Sequence, residues 1–600
     1  MTIPFFLPRV SLESTSPCCS FELQDESLDH AKDYHEFSIT KLAWAIQNGL
    51  SVKSIQRYLS RYADSTTSFG LGVSLESSSG LSRFPILFFA VERNSPELVR
   101  ILCRLGANPD TRADPTNLPL LAYTIFSAEY EVLDTTPTLI ALLAAGADPH
   151  GVPKGLWQDY LQAPARSSAD ESTDAVSLSK WRTVEVEDAL CRTIKLMQIY
   201  SLWKADKLQR PTPRMEQFAL AYKFTPLFEV PFNIIGQMPA TEQVLESITS
   251  HCLFGPSDPE DTAKPLVLLF TGQSGHGKTE LARQIGSLLS VPMVTVDCAE
   301  MEREHDLFGA KPQYQGAGTG SPLNEHLVTC SGQRSVVFLE NFDKTLDDVR
   351  KALLILFQSG AYVNRRNRQK LDCSKTIWIL ATNHGEKIVN KFWDDHFKDR
   401  DIVERNEVLF EKLNALLRDS FVSAIGAPMT GRVTSIVPFG PFTVGEQAVM
   451  VGKYLQNLGN KLRQPIDILL NKFAGHTHLK LINDGQIAQH VAKHYYMPEI
   501  GARSLDTAVD THLKYKLARA IQAVPELVTV ESNDKALERY DVRLATVLEG
   551  AEEITVKRCG STDLRMPPGK TVKKKTARGV RIKKRSGMMN PHQPATKDET

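Results

Sequence analysis

Four short apolar runs punctuate the second half of the chain: 266–270 (LVLLF), 292–296 (PMVTV), 335–339 (SVVFL) and 376–382 (TIWILAT). Runs of this length, rich in β-branched and aromatic residues and separated by helix-period stretches, read as buried strands of a parallel sheet. The expected fold there is an α/β domain, a parallel sheet with helices on both faces. From Phe439 the pattern turns helical. It then closes on two strand-like segments, DVRLATVL at 541–548 and EEITVKR at 552–558, which predicts a smaller α+β lid. The first half lacks this alternation. There Phe84–Asp110 and Leu118–Pro149 each run from a proline-containing turn through a short apolar helix to a second helix that ends in Gly-Ala-Asn-Pro or Gly-Ala-Asp-Pro. Gly106 and Gly146 suit the left-handed residue that follows a helix. Lys41–Ala63 is a weaker unit of the same kind.

These shifts divide the chain into a disordered amino terminus (1–37), an all-α repeat region (38–150), a linker with a helical segment (151–230), an α/β core (231–438), a lid (439–557) and a basic disordered tail (558–600). Several domains are expected, because one core rarely serves more than about 250–300 residues. The linker reading rests on the Ser, Asp, Ala and Pro of 151–184, with helical patterning resuming over Trp181–Trp203.

Composition narrows the function classes. Charge is balanced overall, but Pro567–Thr600 holds ten Lys/Arg against two Asp/Glu. The clusters Lys573–Lys575 and Lys583–Arg585 are open to three readings: a solvated tail, a nuclear import signal or a nucleic-acid contact. No aromatic residues interleave them, so nucleic acid is not the expected partner. Nine scattered cysteines without a CxxC pair argue against a disulfide framework and for a reducing compartment. No apolar run reaches the ~18 residues of a membrane span, and the amino terminus lacks a targeting pattern. The expected location is the cytosol or the nucleus.

The stretch 272–279 (GQSGHGKT) follows the first predicted strand and opens a helix-like segment, ELARQIGSLL. Strand, glycine loop and helix are the context of a phosphate-binding loop. Gly272, Gly275 and Gly277 let the backbone curl so that its N–H groups, with that of His276, converge on phosphate oxygens. Lys278 is placed to reach the β and γ phosphates, and the Thr279 hydroxyl to bind Mg2+. Glu280 follows in the first helical turn. ATP or GTP is the ligand class this motif predicts.

Five further motifs lie in order around that loop and resemble the AAA+ family, within it the second ATPase module of ClpB-type chaperones. Ile234-Ile235-Gly236-Gln237 resembles the segment that covers adenine. Ser335–Thr345 aligns on the Walker B strand, Ala381-Thr382-Asn383 on sensor 1, Gly431-Arg432 on the arginine finger and Gly501-Ala502-Arg503 on sensor 2. The resemblance covers about 232–557. It implies ATP and Mg2+ as cofactors and a homo-oligomer, in that family a hexamer. It further implies that Asn383 orients the attacking water, Arg503 clamps the γ-phosphate, and Arg432 stabilises transferring charge on a neighbouring subunit. Glu340 keeps a carboxylate for Mg2+. Asn341, however, replaces the glutamate that polarises water, and an amide cannot accept a proton. Hydrolysis is therefore expected to be weak unless Glu340 or Asp343 substitutes.

Gly309–Gly316 (GAKPQYQG) resembles the pore loop of ClpB-type unfoldases, with Tyr314 as the ring that grips a client chain. The repeat units of 38–150 resemble ankyrin repeats. They imply a surface for clients or a protein partner, or a domain that only packs on its neighbour. No Ile-Gly-Leu or Ile-Gly-Phe triplet stands between Asn383 and Arg432, so a peptidase partner is less expected than a refolding role. Together these readings predict an ATP-driven unfoldase or disaggregase, with a nucleotide-gated scaffold that has lost turnover as the alternative.

Overall fold

The computed structural model describes residues 7–10, 37–63, 84–128, 134–162, 164, 181–254, 264–309, 320–364, 367–397, 407–525, 536–546 and 552–561. Tyr314 and the basic tail lie outside these residues.

The amino-terminal region is three helix pairs: α1 (Ile39–Gln47) with α2 (Val52–Ala63), α3 (Ile86–Glu92) with α4 (Pro96–Arg104), and α5 (Leu120–Phe126) with α6 (Thr136–Ala144). The first helices touch in the order α1, α3, α5 and the second in the order α2, α4, α6, which makes two layers. Ser38 and Ser95 cap α1 and α4 by accepting from the N–H groups of Lys41 and Leu98. These bonds satisfy donors that a helix start leaves open. Gly106 and Gly146 follow α4 and α6 at φ +98° and +95°, the left-handed conformation expected of them. A two-residue hairpin, β1 (Arg112–Ala113) with β2 (Leu118–Pro119), precedes α5. Asn94, between α3 and α4, ties one pair to the next: it donates to the Asp134 carbonyl and accepts from Thr138.

Of the segment expected to be a linker with a helical part, residues 163 and 165–180 lie outside the described residues, and the described remainder packs into the body. Trp157, Tyr160 and Trp181 are buried, and helices α7 (Val184–Thr193) and α8 (Leu196–Lys207) follow. Helix α8 is buried around most of its circumference, because it runs between α6 and the lid. A helix enclosed on two sides cannot show the one-sided apolar stripe by which sequence patterning recognises a packed helix. Its neighbour α9 (Pro213–Ala221) leads into the core.

The core sheet has five parallel strands in the order β4–β5–β8–β3–β9: β3 (Leu266–Gly272), β4 (Met293–Asp297), β5 (Ser335–Glu340), β8 (Thr376–Thr382) and β9 (Ser435–Phe439). A small hairpin, β6 (Ala361–Val363) with β7 (Lys370–Asp372), lies apart from it. Alternate residues separate the two faces. Val267 and Leu269 pack with Val337, Leu339, Trp378 and Leu380, while Leu268 and Phe270 pack with Val336, Phe338, Ile377 and Ile379. Helices α10 (Met238–Leu253) and α11 (Lys278–Leu289) cover the second face. Helices α13 (Asp347–Ser359), α14 (Glu386–His396) and α15 (Glu407–Ile425) cover the first, and α12 (Pro322–Thr329) flanks it. The fifth strand was not foreseen. It carries Pro438, which argues against a central strand, and the structure places β9 at the edge, where proline is tolerated.

The lid begins with the long helix α16 (Val444–Arg463). Thr443 accepts from the Glu446 N–H while Glu446 accepts from the Thr443 N–H, a reciprocal cap. Strands β10 (Thr477–Leu481), β11 (Glu538–Thr546) and β12 (Glu552–Ser561) form its sheet, parallel in the first pairing and antiparallel in the second. The last strand passes the expected boundary at 557. Helices α17 (Asp484–Tyr495), α18 (Ala502–Val509) and α19 (Tyr515–Gln522) complete the lid.

One apolar core runs without interruption from the amino-terminal pairs through α8 into the lid. Close approach is possible because α16 presents glycine at the contacts. A Cβ on Gly445 would lie 2.1 Å from the Tyr160 hydroxyl, and one on Gly452 would lie 2.9 Å from Leu196 Cδ2. Polar bonds fix the register: Asp134 accepts from Gln456 and from Asn460 Nδ2 at 2.8 Å. Burial pushes the Asp134 carboxyl upward, but Lys195, Asn460 and Thr136 outweigh it and hold it below the usual carboxylate range.

Candidate functional site

The phosphate loop leaves β3 at Gly272 and enters α11 at Lys278. Gly272 has to be glycine because a Cβ there would meet the Phe439 carbonyl at 2.4 Å. Gly275 and Gly277 sit at φ +77° and +98°, and a Cβ on Gly277 would point into open space. Lys278 is buried, and its ammonium donates to the carbonyls of Gly272 and Gln273 and to Asn383 Oδ1 at 3.0 Å. Burial, helped by the nearby Arg503, lowers its pKa to about 8 against the pull of Glu386 and Asp343. The loop thus holds a caged ammonium at a helix amino terminus, a place that favours anions.

The ends of β5 and β8 supply the other polar groups. Thr279 donates its hydroxyl to Glu340 Oε1 at 2.9 Å. Asn341 turns into the left-handed region at φ +53° and donates Nδ2 to Asp297 Oδ1, 2.8 Å away at the end of β4. Asp343 accepts from Thr382 Oγ1 at 2.7 Å. Both carboxylates offered as substitutes for the missing base are therefore engaged, Glu340 by Thr279 and Asp343 by Thr382.

These groups open onto a cavity of about 570 Å³ between core and lid. Ile235, Gly275, Gly277, Lys278, Thr279, Glu280, Glu340, Asn341, Asn383 and Arg503 all line it, so the structure brings together most of the residues singled out from sequence. Gly236 does not line it. Its N–H donates to the Tyr200 hydroxyl, and a Cβ would strike the Glu446 carboxylate. The His276 side chain also turns away from the cavity, which leaves its backbone N–H for the expected part in cofactor binding. It is buried, its Nδ1 lies 3.0 Å from the Ser274 carbonyl, and its ring stacks on Phe442 at 4.8 Å. Burial lowers its pKa, which keeps the ring neutral. Arg432 stands outside the cavity and donates to Gln358 Oε1 at 2.9 Å.

Sequence reasoning found Arg503 but missed the rest of the lid's contribution. Met450, Lys453, Tyr454 and Asn457 face the cavity from successive turns of α16, with Asp506 from α18. Their spacing of three, one and three positions marks one helix face. That mixed apolar and polar face was the available signal.

The donor set fits a magnesium-bound nucleoside triphosphate. An ammonium resting on carbonyls, positive-φ glycines at a helix start and a hydroxyl–carboxylate pair can exchange these internal partners for phosphate oxygens and a hard cation. Bound Mg2+ would spread the charge of the phosphates. Lys278, Thr279 and Glu340 are the residues that would hold the pair. Among the described residues no cluster of three or more His, Cys, Asp or Glu could hold a metal by itself, no two cysteines form a disulfide, and no helix is long and apolar enough to cross a membrane.

Comparison with known proteins agrees with this geometry. Residues 264–424 match the family model described as AAA domain (Cdc48 subfamily). The chain is similar to the chaperone protein ClpB of Staphylococcus epidermidis, 26% identical over 313 residues, covering 50% of this chain and 33% of that protein. It is similar to the mitochondrial disaggregase of Bos taurus at 27% identity over 316 residues, covering 46% of this chain and 43% of that protein. The chain thus spans less than half the length of these relatives. A solved structure described as the closed state of Hsp104 with ATPyS and FITC casein covers 73% of this chain and 68% of its own, at 21% identity and a TM-score of 0.44. The matched segment resembles an AAA domain, and four of the five strands of the parallel sheet, β3, β4, β5 and β8, lie within it.

Proposed function

We propose that the chain is an ATP-binding, Mg2+-dependent AAA+ protein of the ClpB type that uses slow hydrolysis to remodel client polypeptides as an oligomer. One observation carries this reading: Lys278, Thr279 with Glu340, Asn383 and Arg503 converge on one cavity closed by the lid. Asn383 would orient the attacking water and Arg503 would grip the terminal phosphate. Arg432, which does not reach its own cavity, would serve a neighbouring protomer in a homo-hexamer. Tyr314 would grip the client in the pore. The amino-terminal pairs, with their two layers and glycine-closed helices, are read as ankyrin repeats offering a surface to clients or a protein partner. ATP turnover measured beside oligomer mass tests the whole. Nucleotide-dependent assembly with turnover lost in Lys278→Ala supports it, and failure of the wild-type protein to retain ATP rejects it.

Asn341 favours a second reading, a nucleotide-gated scaffold without turnover. Its amide is committed to Asp297, and the nearby carboxylates are engaged elsewhere. Single-turnover hydrolysis of bound ATP separates the two readings.

A further inference from the structure

The base side of the cavity is one loop, 231–237, which contributes Asn233, Ile234 and Ile235 to the wall. Local bonding holds only its start, where the short helix Val230–Asn233 ends with the Ile234 N–H donating to the Val230 carbonyl at 3.1 Å. Its other polar groups bond outward, and two of the groups they meet lie on α8, upstream of the matched AAA domain.

Lys204 of α8 is fully buried, and its ammonium donates to the carbonyls of Pro231, Ile234 and Gly236. A buried ammonium is costly unless its protons are satisfied, so this geometry is strongly specified. One turn earlier, the Tyr200 hydroxyl accepts the Gly236 N–H at 3.1 Å. The lid completes the frame. Lys453 donates to the Asn233 carbonyl at 3.0 Å, and the Glu446 carboxylate lies against Gly236, where a Cβ would meet it at 2.8 Å. Gln237 exchanges two bonds with the backbone of Gly440. The loop is suspended between α8 on one side and the lid on the other.

We propose that Lys204 and Tyr200 are positioning residues for the base half of the nucleotide site, so that the helical segment preceding the AAA domain is a working part of that site. The inference rests on the ATP reading above. Neither residue lines the cavity. They act through the carbonyls and the N–H of the loop, setting where Ile234 and Ile235 stand. The phosphate half is anchored independently through Lys278 and Asn383, so the two halves can be perturbed separately.

The experiment measures affinity of the full chain for ATP and for inorganic tripolyphosphate, by calorimetry, in wild type, Lys204→Met, Tyr200→Phe and Lys278→Ala. Lys204→Met keeps the stem and removes the three donors. Tyr200→Phe removes a single oxygen and guards against loss of folding in the other variant. The expected result is an ATP affinity reduced about tenfold in Lys204→Met and severalfold in Tyr200→Phe, with tripolyphosphate affinity unchanged in both. Lys278→Ala loses both ligands. Wild-type ATP affinity retained in both α8 variants overturns the inference. Equal loss of ATP and tripolyphosphate in folded Tyr200→Phe also overturns it, since that marks a general structural role. A wild-type protein that binds neither ligand instead defeats the underlying ATP reading.

Discussion

Ala502 donates its backbone N–H to the carbonyl of Gly275 at 3.1 Å, which bonds the lid directly to the phosphate loop. The approach is close enough to exclude side chains on both strands of the contact. A Cβ on Gly275 would lie 2.0 Å from the Ile500 carbonyl oxygen, and one on Gly501 would lie 2.8 Å from the Gly275 carbonyl oxygen. Gly501 also sits at φ +66°. The next two residues, Ala502 and Arg503, line the cavity, so the contact sets where the guanidinium begins.

Gly501→Ala should therefore separate the lid from the loop. Strain at the left-handed position and the backbone clash together cost about 1–3 kcal/mol. Thermal unfolding with and without ATP checks this. The expected outcome is a lower Tm and a smaller rise on adding ATP.

Asn341→Glu should raise hydrolysis by roughly 10²-fold or more, since it restores a proton acceptor. The new carboxylate would stand beside Asp297, whose oxygen now accepts from the amide. Repulsion between like charges should limit the gain. The double variant Asn341→Glu with Asp297→Asn should therefore be faster than the single one, as steady-state phosphate release would show.

Affinity for triphosphate should fall as pH rises above 8. Burial lowers the Lys278 ammonium to about 8 in the free protein, and a bound phosphate would raise it again. Below pH 8 the ammonium is already charged and binding needs no proton. Above it, binding must take one up, so affinity drops by up to tenfold per pH unit. Calorimetry at pH 7 and pH 9 should show a loss of about tenfold, accompanied by proton uptake at the higher pH.

Gly452→Val should loosen the amino-terminal region from the lid at a position that does not itself line the cavity. The added carbons would run into Leu196, at a cost of about 1–3 kcal/mol for overpacking. Hydrogen exchange across Leu196–Lys207 is the readout. Faster exchange there, with the amides of β3 still protected, is the expected outcome.

The parts legible in the sequence were those governed by local rules. Four strands of the core sheet announced themselves as apolar runs. The phosphate loop did so through glycine spacing, and Gly106 and Gly146 through their places after a helix. Residues whose role depends on distant partners were not legible. Pro438 hid β9, because nothing local says that a strand will lie at an edge. Helix α8 falls largely within the predicted helical patterning, but its burial was not legible, because it is enclosed between two bodies far apart in the chain. His276 follows the spacing of a cradle residue, yet its ring is turned aside by Phe442, which lies in another part of the fold.

The continuous core from the first helices to the lid has a mechanical consequence. If the lid rocks with each nucleotide, the helical stack seated on it is pulled along, while the Arg100–Glu229 ion pair and Ala144 tether the same stack to the core side. Lid rotation is then resisted at that second attachment.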